Sequence, residues 1–267
     1  MWEQERNELP LRIVSKLRKW NLLWEIMLTF ESASHPFIYI RRMKSLIKAA
    51  PESFRNRYGS SLKAAYLWTQ SILGRIKRQF FRPPFPQLDD EVVNLHLGCG
   101  PISHPKFINI DALPAPHVHY VRAINDLSPF QDNSVNLIYA SHCLEHFPHP
   151  KVPQVLDEWF RVLKHEGILR LSVPDFDVLL NIYHDNENNV NTILKFLMGG
   201  QDYPFNFHMT VFNQASLKNL LIRTGFREVR VWQPGSSELT TLNDSSILKI
   251  IKNGKEYPLS LNIEAVK

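Results

Sequence analysis

Two short segments carry most of the residues in this chain whose types and spacing could do chemistry. In Val93-Asn94-Leu95-His96-Leu97-Gly98-Cys99-Gly100 an apolar run ends in Gly-x-Gly. Glycine lets the backbone turn sharply there and lets a ligand lie against it with no Cβ between them. Eleven residues past Gly100, the run Phe107-Ile108-Asn109-Ile110-Asp111 ends on a carboxylate. An acid at such a tip can accept hydrogen bonds from both hydroxyls of a ribose. The polar stretch Asn125-Asp126-Leu127-Ser128 precedes a further apolar run and lies where an adenine edge would need a polar partner.

The second segment is Ser141-His142-Cys143-Leu144-Glu145-His146, directly after Val135-Asn136-Leu137-Ile138-Tyr139-Ala140. If Ser141 caps a helix, His142 shares a face with Glu145 at i+3 and with His146 at i+4. One reading makes a histidine the general base that takes an acceptor's proton, for which an ordinary pKa near 6.5 is suited. A second reading makes the cluster a divalent-metal site holding an acceptor diol. The first is preferred, so no residue is assigned as a metal ligand. Asp175, after Ser172-Val173-Pro174, and His208, in Phe205-Asn206-Phe207-His208, are expected to converge on the same pocket. Open α/β sheets bind ligands outside the carboxyl ends of their strands. The aromatic run Tyr203–Phe207 is either an acceptor wall or the hydrophobic anchor of a loop. His117, His119, His149 and His184 read as surface or turn residues, and Cys99 and Cys143 as small packing residues.

These residues need a frame. Short apolar runs at 92–97, 107–110, 118–121, 135–140 and 168–173 read as strands. Val152, Val155, Leu156, Trp159 and Leu163 form one stripe of an amphipathic helix closed by Lys164 and Gly167. A helix over 214–224 stopped by Gly225, a strand over 227–232 and a hairpin turning at Asn253-Gly254 follow. Strands separated by helices or tight connections predict a doubly covered, mostly parallel α/β sheet.

The ordered set, glycine turn, Asp111, Asp126 and the segment after the fourth strand, resembles the class I S-adenosylmethionine-dependent methyltransferases of the type 11 group. The resemblance runs from residue 92 to about 232 and on to a last strand at 259–267. It implies a Rossmann-like seven-stranded sheet whose last two strands form an antiparallel hairpin, with S-adenosyl-L-methionine as cofactor. It also implies that Leu97, Gly98, Cys99 and Gly100 lie against the methionine part, that Asp111 holds the ribose and that Asp126 and Leu127 border the adenine. Ser141 is placed with the cofactor residues. The segment at 142–146 is similar to the Glu-x-x-Glu-His metal motif of ubiquinone-pathway O-methyltransferases and small-RNA 2′-O-methyltransferases, with His142 in place of the first Glu and His208 in the place of the distant His that the RNA enzymes add. Leu-Glu-His is also common in type 11 enzymes that use no metal, which implies that Glu145 and His146 close the cofactor pocket through hydrogen bonds. A dinucleotide site fits less well: only Pro101-Ile102-Ser103-His104-Pro105-Lys106 separates the turn from the next strand, too little for the long helix that a pyrophosphate needs. A short loop of this kind resembles methyltransferases encoded with bacterial surface-polysaccharide enzymes, which implies O-methylation of a sugar or glycan precursor. The alternatives are a nucleic-acid methyltransferase and a non-catalytic cofactor-binding scaffold.

Composition bounds the rest. With 267 residues, 44% apolar and 21% charged, the chain has a globular profile, and two cysteines cannot make a disulfide framework. No secretory leader or membrane-spanning run is evident, which points to a cytoplasmic protein. Residues 1–88 hold 16 Lys+Arg against 6 Asp+Glu, and the remaining 179 hold 15 against 20. Residues 1–82 therefore read as a basic helical region and 83–91 as a proline-rich linker, with the catalytic domain at 92–267. Trp20, Trp24 and Trp68 among those basic residues suit an anionic membrane surface, with nucleic acid the less favoured partner.

Overall fold

A computed structural model of the chain describes residues 83–86, 92–235, 239 and 243–267. The chain divides into two compact units, Met1–Thr69 and Gln70–Lys267. The expected helices of residues 1–82 lie outside the described residues, as does most of the 83–91 linker.

Seven strands form one sheet: β1 (Asn94–Leu97), β2 (Ile108–Asp111), β3 (Tyr120–Val121), β4 (Val135–Ser141), β5 (Leu163–Pro174), β6 (Glu228–Val231) and β9 (Ser260–Val266). Their spatial order is β3-β2-β1-β4-β5-β9-β6. The first five run parallel, while β9 is antiparallel to both β5 and β6. The last two strands of the sheet are thus antiparallel neighbours, but a long connection joins them. It carries a separate hairpin, β7 (Lys249–Lys252) with β8 (Lys255–Pro258), turned through Asn253 and Gly254 at positive φ. The strand order reverses between β1 and β4, and such a switch point opens a crevice at the carboxyl ends of those two strands. This is a Rossmann-like α/β fold.

Alternation along the strands sets the core. Leu95 and Leu97 of β1, with Ile138 and Ala140 of β4, point to one face. Helices α1 (Val152–Val162) and α4 (Gln214–Thr224) cover that face with Val152, Leu156, Trp159, Leu217 and Leu221. Trp159 also donates from Nε1 to Ile124 O at 2.8 Å, so its polar end is satisfied inside the core. On the opposite face Leu137 and Tyr139 join Phe107 and Trp232, and buried His96 packs edge-on against Phe107 and Tyr139. Burial drives the His96 imidazole down to about 4, so it is neutral at pH 7. Helices α2 (Phe176–His184) and α3 (Leu194–Met198) follow β5 and lead into the loop that carries His208.

Two expectations are corrected. Gly167 does not stop α1: Leu163 is already extended, the chain passes straight into β5, and Gly167 sits in that strand. A Cβ on Gly167 would lie 2.7 Å from Lys164 O, next to the register shift that follows Val135 and Leu163. The second is the helix expected from Ser141. The chain ends β4 at Ser141 and makes only a 3-10 turn, Leu144–His146. Gly225, by contrast, closes α4 with φ at 119°.

Glu264 of β9 joins three strands: Arg170 of β5 reaches it at 2.6 Å and Arg230 of β6 at 2.5 Å. Burial opposes its charge, but the two guanidinium groups outweigh that and hold its carboxyl below the ordinary range. A depressed carboxyl stabilises the fold above its unfolded pKa, about 4.3, and that stability is lost as pH falls through the lower folded value. Glu264→Gln should therefore unfold at lower urea than the wild type at pH 7, and the gap should close as pH drops toward 3. Denaturation curves at both pH values check this. Gly98, whose φ is 61°, offers a second test: a Cβ there would lie 2.4 Å from Cys143 Sγ. Gly98→Ala should cost about 1–3 kcal/mol, and Cys143→Ala in the same chain should restore part of it by clearing the contact. Thermal unfolding of the single and double variants measures both terms.

Candidate active site

The glycine turn is held from below and from the side. Gly98 N–H donates to Ile110 O at 2.8 Å, and Cys143 fills the space under Gly98. Gly100, with φ at 53°, has nothing within 4 Å of where a Cβ would stand, so the turn presents an open cradle above it. Its N–H donates to Asp111 Oδ2 at 2.8 Å, and Leu113 N–H donates to Asp111 Oδ1 at 2.8 Å. Each carboxylate oxygen keeps a further lone pair, so Asp111 can take two ribose hydroxyls while it holds the turn. His117 locks the far side, with Nε2 2.8 Å from Gly100 O. The thiols of Cys99 and Cys143 are both pushed up by burial, which keeps them as packing groups.

The segment Ser141–His146 lies across the switch point, at the end of β4. His142 has φ at 52°, a left-handed conformation that a residue with a Cβ adopts at a cost, and strain of this kind gathers at functional sites. Glu145 is 1% exposed, and among the described residues neither of its carboxylate oxygens accepts a hydrogen bond. His142 Nδ1 stands 3.4 Å from Glu145 Oε1, and His208 Nε2 stands 3.9 Å from the same oxygen. The His146 and His208 rings meet edge to face with centroids 5.0 Å apart. Burial opposes the Glu145 charge, but the His142 ring and the charges of His142 and His146 outweigh it and hold the carboxyl below its ordinary range. Burial lowers the His208 imidazole.

Three stretches of chain build this cluster. The Glu145 carbonyl accepts from Met209 and Thr210 N–H at 2.8 and 3.2 Å, and Thr210 Oγ1 donates to Phe147 O at 2.7 Å. His208 N–H donates to Met198 O at 3.0 Å. The outer ring nitrogens are fixed as well: His146 Nδ1 meets Phe207 O at 3.0 Å, His208 Nδ1 meets Phe196 O at 2.8 Å, and His142 Nε2 meets Ser260 Oγ at 2.8 Å.

The structure therefore brings His142, Glu145, His146 and His208 together. Asp175 does not join this group. Its Oδ1 accepts from Asp177 N–H and caps α2, and burial raises its carboxyl. Leu127 is fully buried in the core with its N–H donated to Glu158 Oε1 at 2.8 Å, so neither its side chain nor its amide is open to an adenine. Asp126 is exposed, 3.3 Å from Arg122, and its carboxyl is lowered first by its Ser128 hydrogen bonds. Leu97 is fully buried beneath the turn and Cys99 nearly so, while Ser141 closes β4 opposite Ser172. His117 and His119 are not idle surface residues. The first braces Gly100, and the second accepts from Asn109 N–H and reaches Pro84 O at 3.0 Å. Burial first, then the charge of Asp111, raises the Tyr203 hydroxyl.

Residues 103–171 match the family described as Methyltransferase domain, in its type 11 form. No curated protein matches the chain. Among solved structures, it is similar to a SAM-dependent methyltransferase from Archaeoglobus fulgidus, with 18% identity and a TM-score of 0.42 over 74% of this chain and 94% of that one. A protein of Thermotoga maritima described as a possible histamine N-methyltransferase gives 18% identity and a TM-score of 0.43 over 81% and 97%. The 1,6-didemethyltoxoflavin-N1-methyltransferase of Burkholderia thailandensis, bound to its substrate and S-adenosylhomocysteine, gives 13% and 0.41 over 88% and 91%. The matched stretch is a methyltransferase domain, and it takes in Asp111, the acid paired with the glycine cradle.

Asp111→Ala should weaken S-adenosylhomocysteine binding about 10- to 100-fold, the loss of about 1.5–3 kcal/mol expected for hydrogen bonds to a charged acceptor. Titration calorimetry reads this directly, and unchanged affinity in a folded variant would remove Asp111 from the cofactor site.

Proposed function

We propose that the protein methylates a hydroxyl oxygen of a sugar or glycan precursor. The observation that carries this reading is the group His142, Glu145 and His208, set beside the switch point with ring nitrogens turned toward a buried carboxylate. The cofactor supplies a methyl carbon on a sulfonium, already activated for displacement. The protein's share is to align the acceptor and remove its proton. His142 suits the second task. Ser260 gives its own proton to Ser245 O at 2.6 Å, so Ser260 Oγ accepts from His142 Nε2–H and leaves Nδ1 bare beside Glu145. A proton arriving on Nδ1 turns that contact into a charge-assisted hydrogen bond. The acceptor oxygen then takes the methyl group in line, and the carbon–sulfur electron pair returns to sulfur. Phe205 and Phe207, exposed on the segment that carries His208, offer apolar faces on which the C–H side of a sugar ring can stack.

The same proposal assigns the basic first third to delivery, joined through a linker at 83–91, and places the protein against the inner face of an anionic membrane. Among the described residues no helix is long and apolar enough to cross a membrane. Vesicles with anionic lipid should sediment with the full chain at low salt and release it at high salt; salt-independent binding or none would remove the membrane from the reading.

Labelled S-adenosylmethionine offered with oligosaccharides, nucleotide sugars and RNA tests the acceptor. Base-stable label on a sugar hydroxyl is expected, and label on RNA alone would replace the reading with nucleic-acid methylation. His142→Ala should lower kcat at least about 100-fold while S-adenosylhomocysteine affinity stays within about twofold, a split that separates proton transfer from binding.

A further inference from the structure

The Ser260 hydroxyl stands between two acceptors. It can give its proton to Ser245 O, 2.6 Å away, or to His142 Nε2, 2.8 Å away. The two choices leave the neutral imidazole in different tautomers. With the proton on the Ser245 side, Ser260 Oγ accepts from Nε2–H and Nδ1 is bare. With the proton turned to Nε2, the ring carries its own on Nδ1, 3.4 Å from Glu145 Oε1. That second arrangement gives a buried carboxylate a donor, so His142 left to itself favours it. What tips the balance the other way is Ser245 O, a backbone carbonyl that can only accept.

That carbonyl is held from behind. Asp244 caps the 3-10 turn Ser245–Ile247, and its Oδ1 accepts from Ser246 N–H at 2.8 Å, which fixes the direction of the peptide between them. Asp244 Oδ2 accepts from the Tyr139 hydroxyl at 2.7 Å. Tyr139 is fully buried on β4, the strand that ends just before His142. Burial first, then the charge of Asp244, raises the Tyr139 hydroxyl, so it stays protonated and donates. The turn is tied on its other side as well: Ser246 O accepts from Asn262 Nδ2 at 3.0 Å, and Asn262 Oδ1 accepts from Ser172 Oγ at 2.5 Å. We propose that Tyr139 and Asp244 are positioning residues for His142: by holding Ser245 O against Ser260 they keep the imidazole proton on Nε2 and leave Nδ1 bare. The hydrogen bonds close a circuit from Tyr139 through Asp244, the turn, Ser260 and His142 and back along β4. Without it, Ser260 turns to Nε2, the imidazole proton moves to Nδ1, and neither ring nitrogen is open to take another proton.

The value of that tautomer rests on the proposed hydroxyl methylation, in which His142 is the base; the tautomer itself does not. The test therefore reads the imidazole directly. Full-length protein with nitrogen-15 in its histidine rings is followed by two-bond nitrogen–proton correlation at about pH 8, where an imidazole of ordinary pKa, about 6.5, is neutral. His142→Gln identifies the signals of that ring by their loss. The wild type should show Nε2 protonated and Nδ1 bare. Asp244→Ala and Ser260→Ala should each move the proton to Nδ1, while Ser260→Thr, which keeps a hydroxyl, should read like the wild type. Tyr139→Phe removes one oxygen and leaves the packed ring in place, so it covers the case in which Asp244→Ala fails to fold; it should give a mixture of the two tautomers. Retained S-adenosylhomocysteine binding certifies each variant, and a loss of stability alone would leave the tautomer unmoved. A wild-type ring protonated on Nδ1, or one that keeps Nε2–H undivided in Tyr139→Phe, overturns the proposal. A tautomer that follows Tyr139 and Asp244 in a protein that methylates no hydroxyl would leave the positioning standing and sink the proposed reaction.

Discussion

The site depends on one close approach. Cys143 Sγ occupies the place where a side chain on Gly98 would begin, and the sulfur also lies 3.4 Å from Leu97 O and 3.1 Å from Ser141 O. Cys143 is the residue between His142 and Leu144, so this contact presses the segment that carries His142, Glu145 and His146 against the glycine turn. A larger residue at either position would part the two. The spacing between the glycine turn and the segment 142–146 is thus set by the packing of a thiol on a glycine, within a core that has little slack.

Around that contact the polar groups are arranged in tiers. Asp111 serves the backbone first, through Gly100 and Leu113, and keeps outward lone pairs for a ligand. His142, His146 and His208 likewise spend one ring nitrogen on structure and turn the other inward. Glu145 does the reverse: its carbonyl is bound to the 209–210 backbone, and its buried carboxylate faces His142 Nδ1 at 3.4 Å and His208 Nε2 at 3.9 Å. The carboxylate is thereby held in a buried setting where its charge depends on the neighbouring imidazoles.

Much of this was legible in the sequence where the cause is local. A strand ending in Gly-x-Gly, an acid at the tip of the next strand and the Asn-Gly hairpin each follow from backbone geometry within a few residues. The meeting of His142, Glu145, His146 and His208 was also legible, because the carboxyl edge of a parallel sheet gathers the loops that follow its strands. The structure departs from the local reading where one signal fits two elements or where a distant partner decides. Gly167 looks like a helix stop, but the Lys164 carbonyl makes it a strand glycine. Leu127 looks like a loop residue beside a ligand, but Glu158, 31 residues on, takes its amide while the core takes its side chain. Asp175 looks catalytic from its position, yet its carboxylate is taken by the helix that it starts. The bracing of Gly100 by His117 and of His142 by Ser260 has no trace in the local pattern, since each pair is brought together only by the finished sheet.

The place of β9 has a consequence for how the chain is made. Because β9 is inserted between β5 and β6, both of those strands must stand with open edges until the final residues of the domain arrive. Synthesis runs from the amino end, so a ribosome-bound chain would hold two unpaired strand edges through the translation of the whole 232–259 connection. Exposed edges of that kind invite pairing with other chains. Ser260, the first residue of β9, also fixes the tautomer of His142. The same late event would therefore close the sheet and fix the His142 ring, leaving a partly made chain with neither.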